Sequence, residues 1–150
     1  QLAHSIEAGA GDDTVDGGAD DDTITGGTGA DELTGGGDDD TFVYETLNQS
    51  RAGNNSVDTI TDFNADGGDT IDLSALNGGS NVFLGNQAFG TAQNVLTGTA
   101  GEVVYEQGNG DDNGILWVDN GDGILNGLDL QVNLTGVASL SAGDFDGIAP

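Results

Sequence analysis

The sequence predicts an all-β protein, with a parallel β-roll (a β-solenoid) over residues 1–43 and a β-sandwich-like capping region over residues 44–150. Two observations predict this fold class. Residues 8–43 repeat with a period of nine, which is typical of solenoid architectures. The residues after 43 lose the period and alternate short apolar runs with Gly, Asn and Asp turns, which is typical of successive strands.

The nine-residue repeat spans residues 8–43 and reads AGAGDDTVD, GGADDDTIT, GGTGADELT and GGGDDDTFV. We interpret each repeat as a turn of six residues followed by a three-residue strand whose central apolar side chain points inward. The sixth position of each repeat is aspartate: Asp13, Asp22, Asp31 and Asp40. The eighth position is large and apolar: Val15, Ile24, Leu33 and Phe42.

Two repeats make one coil if alternate strands form opposite walls of the roll. The first turn then lies against the third, and the second against the fourth. We therefore expect Asp13 to face Asp31, and Asp22 to face Asp40.

The charge of the chain requires a cation. There are 27 acidic residues and one basic residue, Arg51, and the formal net charge of −26 disfavours a compact state through self-repulsion. Nucleic acids and anionic membrane surfaces are excluded as partners, because binding to them depends on Lys and Arg. No apolar run is long enough to predict membrane insertion.

Calcium fits the facing carboxylates best. It takes six to eight oxygen ligands and accepts backbone carbonyls as readily as carboxylates, whereas magnesium demands a tighter octahedron. Transition metals prefer His or Cys; the chain has no Cys, and we expect its single histidine, His4, to be a surface side chain. The alternative, an acidic glycine-rich disordered linker, is expected to describe the chain without calcium.

The repeats resemble the RTX nonapeptide, GGxGxDxUx. RTX proteins form a parallel β-roll with calcium between turns two repeats apart. Each ion binds second- and fourth-position carbonyls and the aspartate of one turn, and first- and third-position carbonyls and the aspartate of the other. The resemblance implies two sites: Gly9, Gly11 and Asp13 with Gly26, Thr28 and Asp31; and Gly18, Asp20 and Asp22 with Gly35, Gly37 and Asp40.

The sequence departs from the RTX pattern at three positions. Asp20 and Asp38 replace glycine at the fourth position, and Ala8 replaces it at the first. Aspartate tolerates left-handed backbone better than most residues, so we expect the second and fourth turns to keep their shape.

Residues 56–76 read as two strands joined by an Asn/Asp/Gly turn. They resemble the segment that caps RTX repeats in serralysin proteases and alginate epimerases. This implies a further calcium site over the third turn, where the carbonyls of Gly27 and Gly29 remain, completed by Asp58, Asp62 or Asp69. Solvated faces of edge strands are an equally good interpretation of each aspartate.

The last third contains more strands, with Tyr105 and Trp117 expected in their core. Residues 128–145 are similar to the C-terminal end of serralysins and other type I secretion substrates. That resemblance implies an uncleaved export signal, a type I secretion ABC transporter as partner, and a secreted or bacterial cell-surface location. Because the chain opens on Gln1, we expect an N-terminal passenger or adhesin region in a larger protein.

The motif DNGDG, residues 119–123, resembles the start of an EF-hand loop. The spacing then fails, because the twelfth position is Leu130 rather than Glu. The pattern favours a polar hairpin turn over a calcium site.

The sequence shows no recognisable set of catalytic residues. His4 is the only histidine, so the HExxH helix of a zinc protease is excluded within this chain. We expect serine side chains to lack a histidine base, because His4 is expected to be a surface side chain. We expect a non-enzymatic calcium-binding module that folds on extracellular calcium and serves as the folding and export region of a larger protein. The alternative is a ligand-binding module, such as an adhesin tip or a polysaccharide-binding R-module of an alginate epimerase, although one arginine is a poor basis for binding an acidic polymer.

Overall fold

The computed structural model describes residues 2–51, 53, 55–65, 67–87, 96–108 and 113–148. These residues form twelve β-strands and two short 3₁₀ segments, Leu76–Gly79 and Ala142–Asp144. The strands are β1 (Ser5–Ala10), β2 (Thr14–Ala19), β3 (Thr23–Thr28), β4 (Glu32–Gly37), β5 (Thr41–Val43), β6 (Asp58–Ile60), β7 (Thr70–Asp72), β8 (Val82–Gln87), β9 (Glu102–Gln107), β10 (Gly114–Val118), β11 (Leu130–Leu134) and β12 (Phe145–Asp146).

Alternate strands build two sheets. One has the order β1-β3-β5-β7-β12 and the other β2-β4-β6-β11-β10-β9-β8. Within the repeats the pairing is parallel and joins equivalent positions two repeats apart, as in Ile6 with Ile24 and Val15 with Leu33. The predicted fold class, an all-β protein with a parallel β-roll, is confirmed.

The strands are longer than the sequence predicted. Complete repeat strands have six residues rather than three, because the first three positions of the next repeat stay extended and pair with the coil two repeats away. The predicted six-residue turn is therefore wrong, and the turn shrinks to three residues. Asp20 and Asp38 both adopt φ of 72°, so aspartate does replace glycine in the left-handed conformation.

The core is a column of eighth-position side chains that continues into the cap. Val15, Ile24, Leu33 and Phe42 are buried between the sheets, and the ring of Phe42 lies 6.1 Å from that of Phe63. The parallel stacking continues past residue 43: β6 and β7 extend the two sheets of the repeats, so one hydrophobic cluster runs through both regions.

The larger sheet continues beyond β11 with two antiparallel pairs and one parallel pair. Strand β10 pairs antiparallel with both β9 and β11, and β8 closes the edge by pairing parallel to β9. Tyr105 is fully buried and its hydroxyl donates to the carbonyl of Val137, whereas Trp117 is half-buried. Among the described residues, no helix combines the length and apolar character that crossing a bilayer requires.

Candidate metal centre

The sixth-position aspartates stack across the coils. The backbone N–H of Asp13 donates to Oδ1 of Asp31 at 2.9 Å, and that of Asp22 donates to Oδ1 of Asp40 at 2.9 Å. Since the eighth-position side chains fix the parallel register, equivalent turns are brought directly over one another. The structure thus brings together both facing pairs that the sequence predicted.

Two aspartates of the cap continue these rows. The N–H of Asp31 donates to Oδ1 of Asp58 at 3.0 Å, and the N–H of Asp40 donates to Oδ1 of Asp69 at 3.0 Å. Asp58 therefore covers the third turn. Asp69 lies instead over the fourth turn, because β7 pairs with β5.

Asp62 has a different role from the one expected over the third turn. Its carboxylate accepts the N–H groups of Gly35 and Gly36, each at 2.9 Å. It thus binds the backbone where the fourth repeat begins and does not join either row of stacked aspartates.

Five stacked carboxylates have a buried second oxygen without a hydrogen-bond partner, whereas Oδ2 of Asp69 accepts the backbone N–H of Asn64 at 2.8 Å. Apart from Asp13, each stacked aspartate accepts a backbone N–H at Oδ1. A buried polar atom without a partner is costly, so these oxygens call for a ligand that neutralises them. The atoms concerned are Oδ2 of Asp13, Asp22, Asp31, Asp40 and Asp58.

Burial raises the pKa of several of these carboxyls. It raises the pKa of Asp58 to about 7, with the charge of Asp31 adding to the effect, and the pKa of Asp40 to about 6. The pKa values of Asp31 and Asp69 are also raised by burial. In each case a donated N–H opposes the shift, and it is not enough to cancel the cost of burying the charge.

Backbone carbonyls converge on the same turns. A Cβ atom placed on Gly27 would lie 1.9 Å from the carbonyl oxygen of Gly9, and one on Gly29 would lie 2.1 Å from that of Gly11. The carbonyls of Gly9 and Gly11 in the first repeat therefore point towards the third repeat, where the absence of a side chain at Gly27 and Gly29 leaves room for them.

First-position glycines accommodate the carboxylates. A Cβ atom on Gly17 would lie 2.6 Å from both Oδ2 of Asp22 and the carbonyl oxygen of Gly35. One on Gly35 would lie 2.3 Å from Oδ2 of Asp40. Oδ2 of Asp22 and the carbonyl oxygen of Gly35 therefore lie close together. They come from repeats that are two apart in the sequence.

This donor set fits calcium. The unpartnered atoms are carboxylate oxygens, the surrounding atoms are backbone carbonyls, and glycine leaves space for an ion with six to eight oxygen ligands. His4, the single histidine of the chain, lies beside the stacked Asp22. Its backbone N–H donates to Oδ1 of Asp22 at 2.6 Å, and its Nδ1 lies 3.0 Å from that atom, with the side chain 45% exposed.

The sequence did not predict one acidic cluster. Asp119, Asp122 and Asp129 each place a carboxylate oxygen within 4.8 Å of the others. The motif that begins at Asp119 does not have the spacing of an EF-hand loop, which is why it favoured a hairpin turn. The sequence feature that could have indicated this cluster is Asp129, which immediately precedes a strand of alternating apolar residues.

Comparisons with known proteins give one family match. Residues 8–146 match the family model described as peptidase M10 serralysin C terminal. No curated protein sequence matches the chain significantly.

Two solved structures are similar to the chain, and at these identities they show the fold. Both come from the mannuronan C5-epimerase of Azotobacter vinelandii. The AlgE6R2 subunit aligns with a TM-score of 0.66 at 23% identity, over 99% of this chain and 90% of that one. The AlgE6R3 subunit aligns with a TM-score of 0.52 at 24% identity, over 95% of this chain and 77% of that one.

Proposed function

Since this chain belongs to the peptidase M10 serralysin C-terminal family, an RTX-type module, we propose that it is a calcium-dependent folding and export region of a larger secreted or cell-surface protein. Domains of this family are part of larger secreted proteins, and RTX-type modules generally bind calcium. The observation that supports the proposal best is the row of buried carboxylate oxygens without partners.

Calcium would lie between turns two repeats apart. One site would use the carbonyls of Gly9, Gly11, Gly26 and Thr28 with Asp13 and Asp31. A second would use the carbonyls of Gly18, Asp20, Gly35 and Gly37 with Asp22 and Asp40. The stacking of Asp58 on Asp31 supports a third site with the carbonyls of Gly27 and Gly29, and Asp69 extends the other row over Asp40.

Bound calcium would supply the free energy that the metal-free chain lacks. An ion that binds only the folded state stabilises it by RT ln(1 + [L]/Kd), about 2.7 kcal/mol at a hundredfold excess over Kd. Two or three such sites supply several kcal/mol, comparable to the total stability of a small domain, about 5–15 kcal/mol. Without calcium, a net charge of −26 opposes compaction.

Because folding depends on calcium, the chain would fold after export and not before it. In a cytosol where calcium is scarce, the chain stays unfolded and can pass through a type I secretion ABC transporter. Outside the cell, calcium binds and folds it. The module itself would perform no catalysis, and any activity would reside in an N-terminal passenger or adhesin region.

The alternative function is the binding of an acidic polysaccharide. The structural likeness to subunits of a mannuronan epimerase shows a shared fold only. A polyanion-binding face requires Lys and Arg, and the chain has one such residue, Arg51. The net charge therefore favours the folding and export function.

A calcium titration of the complete chain tests the folding function. Circular dichroism of a chelated sample should show disorder, and calcium should convert it to a β-rich spectrum. Magnesium at equal concentration should not, because it demands a smaller, near-octahedral set of ligands. Full β-structure in the chelated sample would overturn the proposal.

A further inference from the structure

The loop of residues 119–129 joins β10 to β11 and begins and ends with a buried aspartate. The last pair of this antiparallel ladder is Val118 with Leu130. Asp119 follows this pair immediately and Asp129 precedes it, and both side chains have no exposed area. The closing strands therefore hold two carboxylates together inside the protein.

The loop wraps its backbone around these carboxylates. The N–H of Asn120 donates to Oδ1 of Asp129 at 2.9 Å, and that of Asn126 donates to Oδ2 of Asp129 at 2.7 Å. The N–H of Gly123 donates to Oδ2 of Asp119 at 3.3 Å. Donors from the loop thus organise the carboxylates, and the shape of the loop depends on them.

One oxygen is left without a donor. Oδ1 of Asp119 is buried and has no hydrogen-bond partner. The exposed Asp122 brings a third carboxylate, and oxygens from Asp119, Asp122 and Asp129 lie within 4.8 Å of one another. Ligands on opposite sides of a calcium ion lie about 5 Å apart, so this spacing is that of a coordination shell.

The one arginine of the chain, Arg51, donates hydrogen bonds to other groups. Nε of Arg51 donates to the carbonyl of Gly127 at 3.3 Å, and its NH1 donates to Asn48 at 2.5 Å. Burial raises the pKa of both Asp119 and Asp129, and neighbouring carboxylates add to this effect. Three carboxylates this close repel one another unless a cation lies among them.

We propose that Asp119, Asp122 and Asp129 form a calcium site of their own in the loop between β10 and β11. The site takes a hard divalent cation, because all three ligands are carboxylate oxygens. It is independent of the nine-residue repeats and lies at the loop end of the β10–β11 hairpin. The chain therefore binds one calcium ion more than the repeats and their caps account for.

Terbium, a calcium-sized luminescent ion, can report this site selectively. Trp117 is the only tryptophan in the chain and lies two residues before Asp119, about 7 Å along the strand. Excitation at the red edge of the absorption band, where tyrosine absorbs little, sensitises terbium bound beside Trp117. The complete chain should show strong tryptophan-sensitised terbium emission that calcium displaces.

Two variants and a control test the assignment. Asp119→Asn replaces one carboxylate oxygen by an amide nitrogen, which does not bind a cation, and Asp122→Asn changes an exposed ligand that lies outside the hydrophobic core. Each should weaken tryptophan-sensitised terbium binding about tenfold or more. Asp119→Asn should also lower the calcium content measured after equilibrium dialysis by one ion per chain. The exposed Asp146, in β12, provides the matched control Asp146→Asn, which should change neither reading.

The outcomes separate this site from the folding function. If the complete chain gives no sensitised emission, or if Asp122→Asn and Asp119→Asn both leave emission and calcium content unchanged, the loop site does not exist. A chain that folds without calcium yet loses terbium emission in these variants would contradict the folding function and leave the loop site intact. If Asp119→Asn does not fold, the terbium emission of Asp122→Asn decides whether the loop site exists.

Discussion

The backbone N–H of Asp31 donates to Oδ1 of Asp58 at 3.0 Å, across 27 residues of sequence. Within the repeats the equivalent bond joins residues 18 apart, as between Asp13 and Asp31. Asp58 therefore takes the position of a repeat aspartate although it lies outside the repeats. Asp31 consequently has a stacked carboxylate on both sides and is an interior member of its row.

Replacing Asp31 should impair folding far more than replacing an exposed aspartate. Asp31→Ala removes a buried unpartnered oxygen and the acceptor for the N–H of Asp13, and in our proposal it removes a ligand from two ions. The calcium midpoint of folding, measured by circular dichroism, should rise about tenfold or more.

The matched control is Asp21→Ala. Asp21 is exposed, and its carboxylate accepts only a long bond of 3.2 Å, from the N–H of Asp39. The calcium midpoint of the Asp21→Ala variant should stay within about twofold of that of the unchanged chain, as for surface substitutions generally. Equal midpoints for the two variants would show that the ligand register is wrong.

A methyl group at Gly35 should displace the carboxylate of Asp40 from its position, whereas a methyl group at Gly37 should displace no neighbouring group. A Cβ atom on Gly35 would lie 2.3 Å from Oδ2 of Asp40, and at Gly37 nothing lies within 4 Å. Gly35→Ala should therefore lower the free energy of unfolding in calcium by about 1–3 kcal/mol, the usual cost of overpacking.

Gly37→Ala keeps the same backbone carbonyl and should change that free energy by less than about 0.5 kcal/mol. Urea unfolding in saturating calcium measures both variants. A loss at Gly37 as large as that at Gly35 would contradict this placement of the Asp40 side chain.

Acid should stabilise the calcium-free fold while weakening calcium binding. Burial raises the pKa of Asp58 from 3.8 to about 7 and that of Asp40 to about 6. The folded state therefore holds protons that the unfolded state has released. The free energy of unfolding without calcium should then rise as the pH falls from about 7 to about 4. Calcium needs the ionised carboxylates, so its affinity should fall over the same range.

Circular dichroism of the metal-free chain at about pH 5 and about pH 8 checks the first half, because the β-structure should increase at the lower pH, and calcium titrations check the second. Asp58→Asn mimics the neutral carboxyl and should reduce the pH dependence. Asp16→Asn removes an equal charge from an exposed position and should not. A calcium-free chain that is less stable at the lower pH would refute the argument.

A chain ending at Val43 should stay disordered in calcium. Truncation exposes Phe42, which pairs with Ile71, and removes the caps that Asp58 and Asp69 provide over the third and fourth turns. Solenoid repeats need such terminal capping. Circular dichroism in millimolar calcium measures this. If the truncated repeats fold at the calcium midpoint of the complete chain, residues 44–150 are not a cap.

Removing residues 128–150 should abolish export of a fused passenger through a matching type I transporter, because we place the export signal there. Asp31→Ala is the control, since it impairs folding and leaves this segment intact, and it should still be exported. Secretion of the shortened chain at the original level would show that the signal lies elsewhere.

The sequence by itself determined the roll. An apolar residue and an aspartate recurring every nine positions are local, periodic signals, so the register of Val15 with Leu33 and the facing of Asp13 with Asp31 follow from the period alone. The left-handed backbone at Asp20 was also predictable, because the repeat requires it at that position.

Only the tertiary structure decided where the non-periodic aspartates lie. Asp69 reaches Asp40 across 29 residues, because an irregular connection returns the chain to the smaller sheet, and no fixed spacing encodes that distance. Asp119 and Asp129 meet because antiparallel pairing of β10 with β11 closes the loop between them. Loop closure brings together residues whose separation depends on loop length, so a motif with fixed spacing cannot detect them.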